Sequence, residues 1–123
     1  MATRSRIAVK QQDGSVKSIY CHFDGYPLYN GATLLDYYPR EKANALMEVG
    51  NIRQLGVPPN YHLYDQEGIH YKTFELFLED LGHEGEEYGY ILMEDDQWYC
   101  IPVVGDDLGE MQLVTEILSE SGV

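Results

Sequence analysis

The densest grouping of chemically capable side chains is Cys21-His22-Phe23-Asp24. A thiol nucleophile needs a base within hydrogen-bond reach, and a histidine held by a carboxylate makes such a base. Neighbouring residues of a strand point to opposite faces, which keeps Cys21 and His22 apart and puts His22 and Asp24 on one side. A small hydrolase using His22 and Asp24 is therefore the enzymatic alternative. With no second catalytic element in the sequence, a non-enzymatic protein is the primary expectation, and no catalytic residue is assigned.

Metal chemistry is weighed next, because His62, His70 and His83 lie in a stretch rich in carboxylates. Their spacing fits neither HExxH nor an EF-hand loop, and Glu94-Asp95-Asp96 lacks the alternating ligands and the glycine of a calcium loop. Cys21 and Cys100 are far apart and show no CxxC spacing, which argues against a disulfide framework or a zinc ribbon. There is no GxGxxG and no Walker loop. The sequence thus predicts no metal and no cofactor.

A second constellation depends on strand pairing. Arg4 to Lys10 and Val16 to Phe23 flank Gln12-Asp13-Gly14-Ser15, and Asp-Gly is a strong hairpin turn signal. Ile7 and Val9 must share a core face with Ile19, Cys21 and Phe23. A three-residue loop, residues 13 to 15, achieves this by pairing Ile7 with Cys21 and Val9 with Ile19. Arg6 then falls opposite His22, Ala8 opposite Tyr20, Lys10 opposite Ser18, and Arg4 near Asp24. The other face becomes cationic and aromatic, and Arg4, Arg6, Tyr20, His22, Asp24 and Tyr26 are the candidate ligand residues. Rings there would stack a base while arginine holds phosphate. The plainer alternative is a solvated strand face with an Arg4–Asp24 surface ion pair.

The remaining elements must position this face. Asp24-Gly25-Tyr26-Pro27 breaks the strand. Thr33 is a candidate cap for a short helix bearing Leu34, Leu35 and Tyr38, and Pro39 opens a second helix that runs through Glu48 to a stop at Gly50. Gly56-Val57-Pro58-Pro59-Asn60 reads as a connector. Phe74, Phe77, Leu78 and Leu81 recur at helical spacing, which predicts a helix over Tyr71 to Leu81 ending at Gly82, although Phe74, Leu76 and Leu78 also alternate. His83 to Glu87 reads as an exposed acidic loop. Tyr88 to Met93 and Trp98 to Val104 form a second hairpin around Glu94-Asp95-Asp96-Gln97. Asp107 followed by Glu110 resembles a capping box opening a last helix with Leu108, Met111, Val114, Ile117 and Leu118 inward. The expectation is one α+β domain, 1–123, with two antiparallel β-hairpins forming a small sheet covered by three or four helices.

Composition sets further bounds. The chain has 123 residues, 21 Asp and Glu against 8 Lys and Arg, and a net charge of −13. Residues 1–64 carry a net +2, whereas residues 65–123 hold sixteen carboxylates and Lys72 alone, a net of −15. Such a half repels nucleic acid, so direct nucleic-acid binding is not expected. No apolar run approaches the roughly 20 residues of a membrane helix, and Met1 to Val9 has no signal-peptide block, so a cytoplasmic location without membrane contact is expected. Eleven tyrosines, eight of them before residue 72, exceed what a small core can bury. Some aromatic surface should then face a partner or a second copy of the chain.

Several blocks carry a resemblance. Thr3-Arg4-Ser5-Arg6-Ile7, Asp13-Gly14-Ser15-Val16, the run from Ser18 through Cys21-His22-Phe23-Asp24-Gly25-Tyr26-Pro27, Gly31-Ala32-Thr33-Leu34-Leu35 and Arg40-Glu41-Lys42 resemble a family of small bacteriophage and prophage proteins. The family is marked by a CHWDGYP block, a following helix and a G-[ND]-[IL]…LG segment. The resemblance covers residues 3–56, with Phe23 where Trp is expected. It implies a phage accessory gene acting in the cytoplasm of an infected bacterium and carries over no catalytic residue. Joined to the −15 half, it predicts a protein that binds and inhibits a host factor of defence or nucleic-acid metabolism. Glu84, Glu86, Glu87, Glu94, Asp95, Asp96, Asp106 and Asp107 would imitate phosphates. The alternative is sequestration of a small nucleotide immune signal on the cationic-aromatic face.

Overall fold

The computed structural model describes residues 2–58, 62–63 and 66–120, with His62 and Leu63 at the level of backbone. Pro59, Asn60, Tyr61 and Tyr64 of the expectations above, and the His62 side chain, lie outside the described residues. Among the described residues the chain forms nine strands and four α-helices. These are β1 (Ser5–Lys10), β2 (Val16–Cys21), α1 (Ala32–Tyr37), α2 (Arg40–Val49), β3 (Ile52–Gln54), β4 (His62–Leu63), β5 (Ile69–Tyr71), α3 (Phe74–Asp80), β6 (Tyr88–Leu92), β7 (Trp98–Val104), β8 (Asp107–Leu108), β9 (Gln112–Leu113) and α4 (Val114–Glu120). A π-helical turn, Pro27–Gly31, leads into α1.

The α+β class holds, but the sheet is larger than two hairpins. Its order is β4-β3-β2-β1-β6-β7-β8, with β5 also on β2 and β9 also on β7. The two expected hairpins are present and lie side by side through a parallel pairing of β1 with β6, Ile7 opposite Tyr90. The sheet is therefore mixed, and its centre is buried on both faces.

One face carries Ile7, Val9, Ile19, Cys21, Tyr90, Leu92, Trp98 and Cys100, covered by Leu34, Tyr38, Leu46, Met47 and Val114 of α1, α2, α4 and the adjoining chain. The opposite face carries Ala8, Val16, Tyr71, Ile91 and Ile101, covered by Phe77 and Leu81 at α3. Gly89 on β6 makes this seat possible, since a Cβ there would meet Leu81 Cδ2 at 2.6 Å. Buried polar tips are tied in as burial requires. The Trp98 indole N–H donates to the Tyr38 carbonyl, and the Tyr90 hydroxyl donates to the Gly25 carbonyl.

The first hairpin keeps Ile7, Val9, Ile19 and Cys21 on the expected core face and changes its register, whereas Phe23, expected inward with them, lies past the end of β2 and is 41% exposed. Ile7 pairs with Ile19, Arg6 with Tyr20, Ala8 with Ser18 and Lys10 with Val16. Gln11 N–H donates to the Ser15 carbonyl, which leaves Gln12-Asp13-Gly14 as the loop, one residue earlier than 13–15. The Asp13 carboxylate draws in the Ser15 N–H and hydroxyl, and Gly14 takes φ +89 at the left-handed position. Moving a loop by one residue moves the pairing by two, so Ile7, Val9, Ile19 and Cys21 remain inward.

Three further expectations are corrected. The segment after residue 68 first forms β5, and Thr73 then caps α3 by accepting the Leu76 N–H. Helix α1 begins before Thr33, directly out of the π-helical turn, so Thr33 is inside it rather than its cap. Asp107 opens no helix: Gly105, at φ +64, turns the chain back so that Asp107 and Leu108 pair with Val104 and Val103, and α4 starts at Val114. By contrast, Pro39 and Gly50, at φ +92, bound α2 as expected.

Candidate functional site

Strand β1 and the end of β2 place Arg6, Tyr20 and His22 on the α3 side of the sheet, with Arg4 just ahead of β1. These four side chains form the floor of a cleft of about 470 Å³. The lining also includes Gln66 and Glu67 ahead of β5, Ile69 at its start, Asn51 and Glu84. The segment ahead of β5 lies flush on β2. A Cβ at Gly68 would sit 2.1 Å from the Ser18 carbonyl oxygen, and Asn51 N–H donates to the Gln66 carbonyl.

Four of the six candidate ligand residues thus meet in one cleft, but their electrostatics differ from the expectation. Arg6 is buried and its Nε donates to Glu86 Oε2 at 2.7 Å; the side chains of the pair are 3% and 1% exposed. Nη1 of Arg6 donates to Ser18 Oγ, which in turn donates to the Ile69 carbonyl. The other Glu86 oxygen accepts the N–H groups of Gly82 and Glu84. A buried pair survives only when its remaining hydrogen-bonding sites are filled in this way. The expected exposed loop 83–87 is accordingly pinned by Glu86, which belongs to the interior and not to an acidic surface.

Tyr20 and His22 face each other: the Tyr20 hydroxyl lies 2.9 Å from His22 Nδ1. No His22–Asp24 hydrogen bond occurs among the described residues. Asp24 sits in a left-handed turn at φ +61, where its carboxylate accepts from Gln54 Nε2, and it pairs neither with His22 nor with Arg4. Tyr26 stands outside the cleft in a ladder of rings, 6.3 Å from Tyr29 and 6.0 Å from Tyr88. It is exposed, as are Leu28 and Tyr29 beside it.

The acidic residues split into two groups. Because β6 and β7 are antiparallel, Glu84 and Glu87 at the start of β6 lie at the same end of the sheet as Asp106 and Asp107 after β7. Glu94, Asp95 and Asp96 lie at the other end, about 17 Å away along the five residues of β6. That far turn is partly neutralised, Glu94 by Lys10 at 3.2 Å and Asp96 by Arg40, whose guanidinium also caps the carbonyls of Lys10 and Met93. Asp95 accepts from the Tyr99 hydroxyl and the Gln97 N–H, which hold its carboxyl below the usual range. At the near end, Glu84, Glu87, Asp106 and Asp107 are exposed and make no ion pair among the described residues.

Among the histidines, His83 contacts Asp80 at 3.0 Å, and no set of three or more His, Cys, Asp or Glu gathers as a metal site among the described residues. Cys21 and Cys100 are both buried free thiols, and burial pushes them up to about 11 and about 12. Sequence reasoning missed Asn51, which reaches the cleft where β3 pairs with β2, and Gln66, Glu67 and Ile69, which arrive with the pairing of β5 with β2. Nothing local distinguishes Glu86 from Glu84 or Glu87; only Gly82 and Gly85, both ahead of it and both at positive φ, mark a turn tight enough to aim one carboxylate inward.

Comparison with family models, with curated proteins and with solved structures finds no match. No helix among the described residues is long and apolar enough to cross a membrane.

Proposed function

We propose that the chain is a non-enzymatic phage accessory protein that acts in the cytoplasm of the infected bacterium by docking its acidic end onto a basic surface of a host protein. The observation that carries this reading is the end of the sheet where Glu87, Asp106 and Asp107 stand exposed, without cation partners among the described residues, next to Glu84. Carboxylates gathered at one end, in a half of the chain that carries −15, produce a field that speeds encounter with a basic partner and excludes acidic ones. A host protein that binds nucleic acid offers such a surface, and occupying it inhibits that protein. The likeness of residues 3–56 to small phage proteins supports the setting.

The test is capture from bacterial host lysate at low and high salt. Wild-type protein is expected to retain a basic partner at low salt and release it at high salt, because exposed charges are screened. A variant with Glu87→Gln, Asp106→Asn and Asp107→Asn is expected to retain none. No partner at either salt concentration contradicts the reading.

A further inference from the structure

The cleft over Tyr20 and His22 shares only Glu84 with that acidic end and holds charges the fold leaves unused. Its second guanidinium is spent: Arg6 is 2% exposed and neutralised by Glu86. Arg4 is not spent. It is exposed and forms no ion pair among the described residues. Its guanidinium lies on the bare backbone of Gly85, where an added Cβ would stand 2.8 Å from Nη1. Gly85 has φ +84, a conformation other residues adopt at a cost, so the bed under Arg4 is built by glycine on two counts. The Arg4 carbonyl accepts the Glu87 N–H, which fixes the backbone from which the side chain extends.

Glu67 and Glu84 line the same cleft, are exposed, and likewise have no cation partner among the described residues. Among the described residues, Arg4 and Arg6 against Glu67, Glu84 and the Glu86 behind Arg6 give the cleft a net of −1. A di- or triphosphate would meet one usable cation and two carboxylates. Readout of a nucleobase edge is also poorly served, because the Asn51 amide is occupied: Oδ1 accepts the Tyr20 N–H and Nδ2 donates to Gln66 Oε1. What fits is a ligand with one anionic and one cationic group. The planar guanidinium of Arg4 takes a carboxylate through paired hydrogen bonds, and Glu67, which lines the same cleft, takes an amine. Tyr20 and Ile69 line the same cleft. The volume of about 470 Å³ lies within the usual range for small-molecule sites.

We propose that this cleft binds a small zwitterion of the amino-acid class, its carboxylate on Arg4 and its ammonium on Glu67. The test uses the intact purified protein, the twenty common L-amino acids at millimolar concentration, and saturation-transfer NMR with thermal shift. Acetate, methylamine and ADP serve as separate arms. At least one amino acid is expected to receive saturation and raise the melting temperature, while acetate, methylamine and ADP bind more weakly. Arg4→Ala and Glu67→Gln should each weaken the best amino acid by about tenfold or more, the loss expected for one charge-assisted contact. Glu87→Gln, outside the cleft, should leave it unchanged. Binding of no amino acid, preference for ADP, or affinity unaffected by Arg4→Ala overturns the proposal. None of these outcomes bears on capture of a basic protein by Glu87, Asp106 and Asp107.

Discussion

Replacing Glu86 by alanine tests the feature that reorganises the candidate site. Its side chain is 1% exposed and accepts from Arg6 Nε, from Gly82 N–H and from Glu84 N–H. Truncation leaves a buried guanidinium with Ser18 as its remaining side-chain partner and frees two backbone donors. Removing one member of a buried pair typically costs about 3–5 kcal/mol, whereas an exposed pair contributes about 0–1 kcal/mol. Against a total of about 5–15 kcal/mol for a domain of this kind, the loss brings the protein near its unfolding threshold. Urea unfolding at 25 °C, followed by far-UV circular dichroism, measures it. Glu86→Gln, which keeps the shape and loses the charge, should fall between wild type and Glu86→Ala. Arg6→Met combined with Glu86→Leu should recover most of the stability, because no uncompensated charge remains. A Glu86→Ala cost below about 1 kcal/mol, or additive effects in the double variant, would refute the buried pair and return Glu86 to the acidic surface.

Two other outcomes follow from buried or paired titratable groups. Cys21 and Cys100 are almost fully buried, with thiols raised to about 11 and about 12, so a thiol reagent at pH 8 should label neither in the native protein and both in urea. Rapid native labelling of either would show that the core packing over β2 or β7 is wrong. Asp80 accepts from the Tyr71 hydroxyl and, secondarily, from His83, which holds its carboxyl below the usual range. A lowered carboxyl contributes stability above its unfolded pKa and loses it as pH falls through the folded value. Tyr71→Phe should therefore be more destabilising at pH 7 than at pH 2, and an equal cost at both, by urea unfolding, would contradict the assignment.

The legible parts of the fold are those with local causes. Pro39 and Gly50 bracket α2, the run at Phe74, Phe77 and Leu81 marks α3 and its neighbouring turn, and alternation outlines β1, β2, β6 and β7. The parallel seam between β1 and β6 joins residues about eighty positions apart and leaves no local signature, so the sheet outgrew the expectation. Asp107 and Glu110 have the spacing of a cap, but the left-handed Gly105 makes a tight return to Val103 and Val104 available, and that pairing takes precedence. The same distinction governs the site. Strand alternation on β1 and β2 was enough to gather Arg6, Tyr20 and His22. It was silent on Glu86, whose partner is Arg6 across the sheet, and on Glu67, which arrives with β5. Four candidates were thus found by pattern, while the charges that decide what the cleft can hold came from long-range pairing.

The most direct test of the functional reading is the salt dependence of host-partner capture by wild-type protein and by the Glu87→Gln, Asp106→Asn, Asp107→Asn variant, run side by side on the intact chain. The account predicts a basic host protein bound by wild type at low salt, released as salt rises, and not bound by the variant. Capture that is insensitive to salt, or equal capture by the variant, would contradict it.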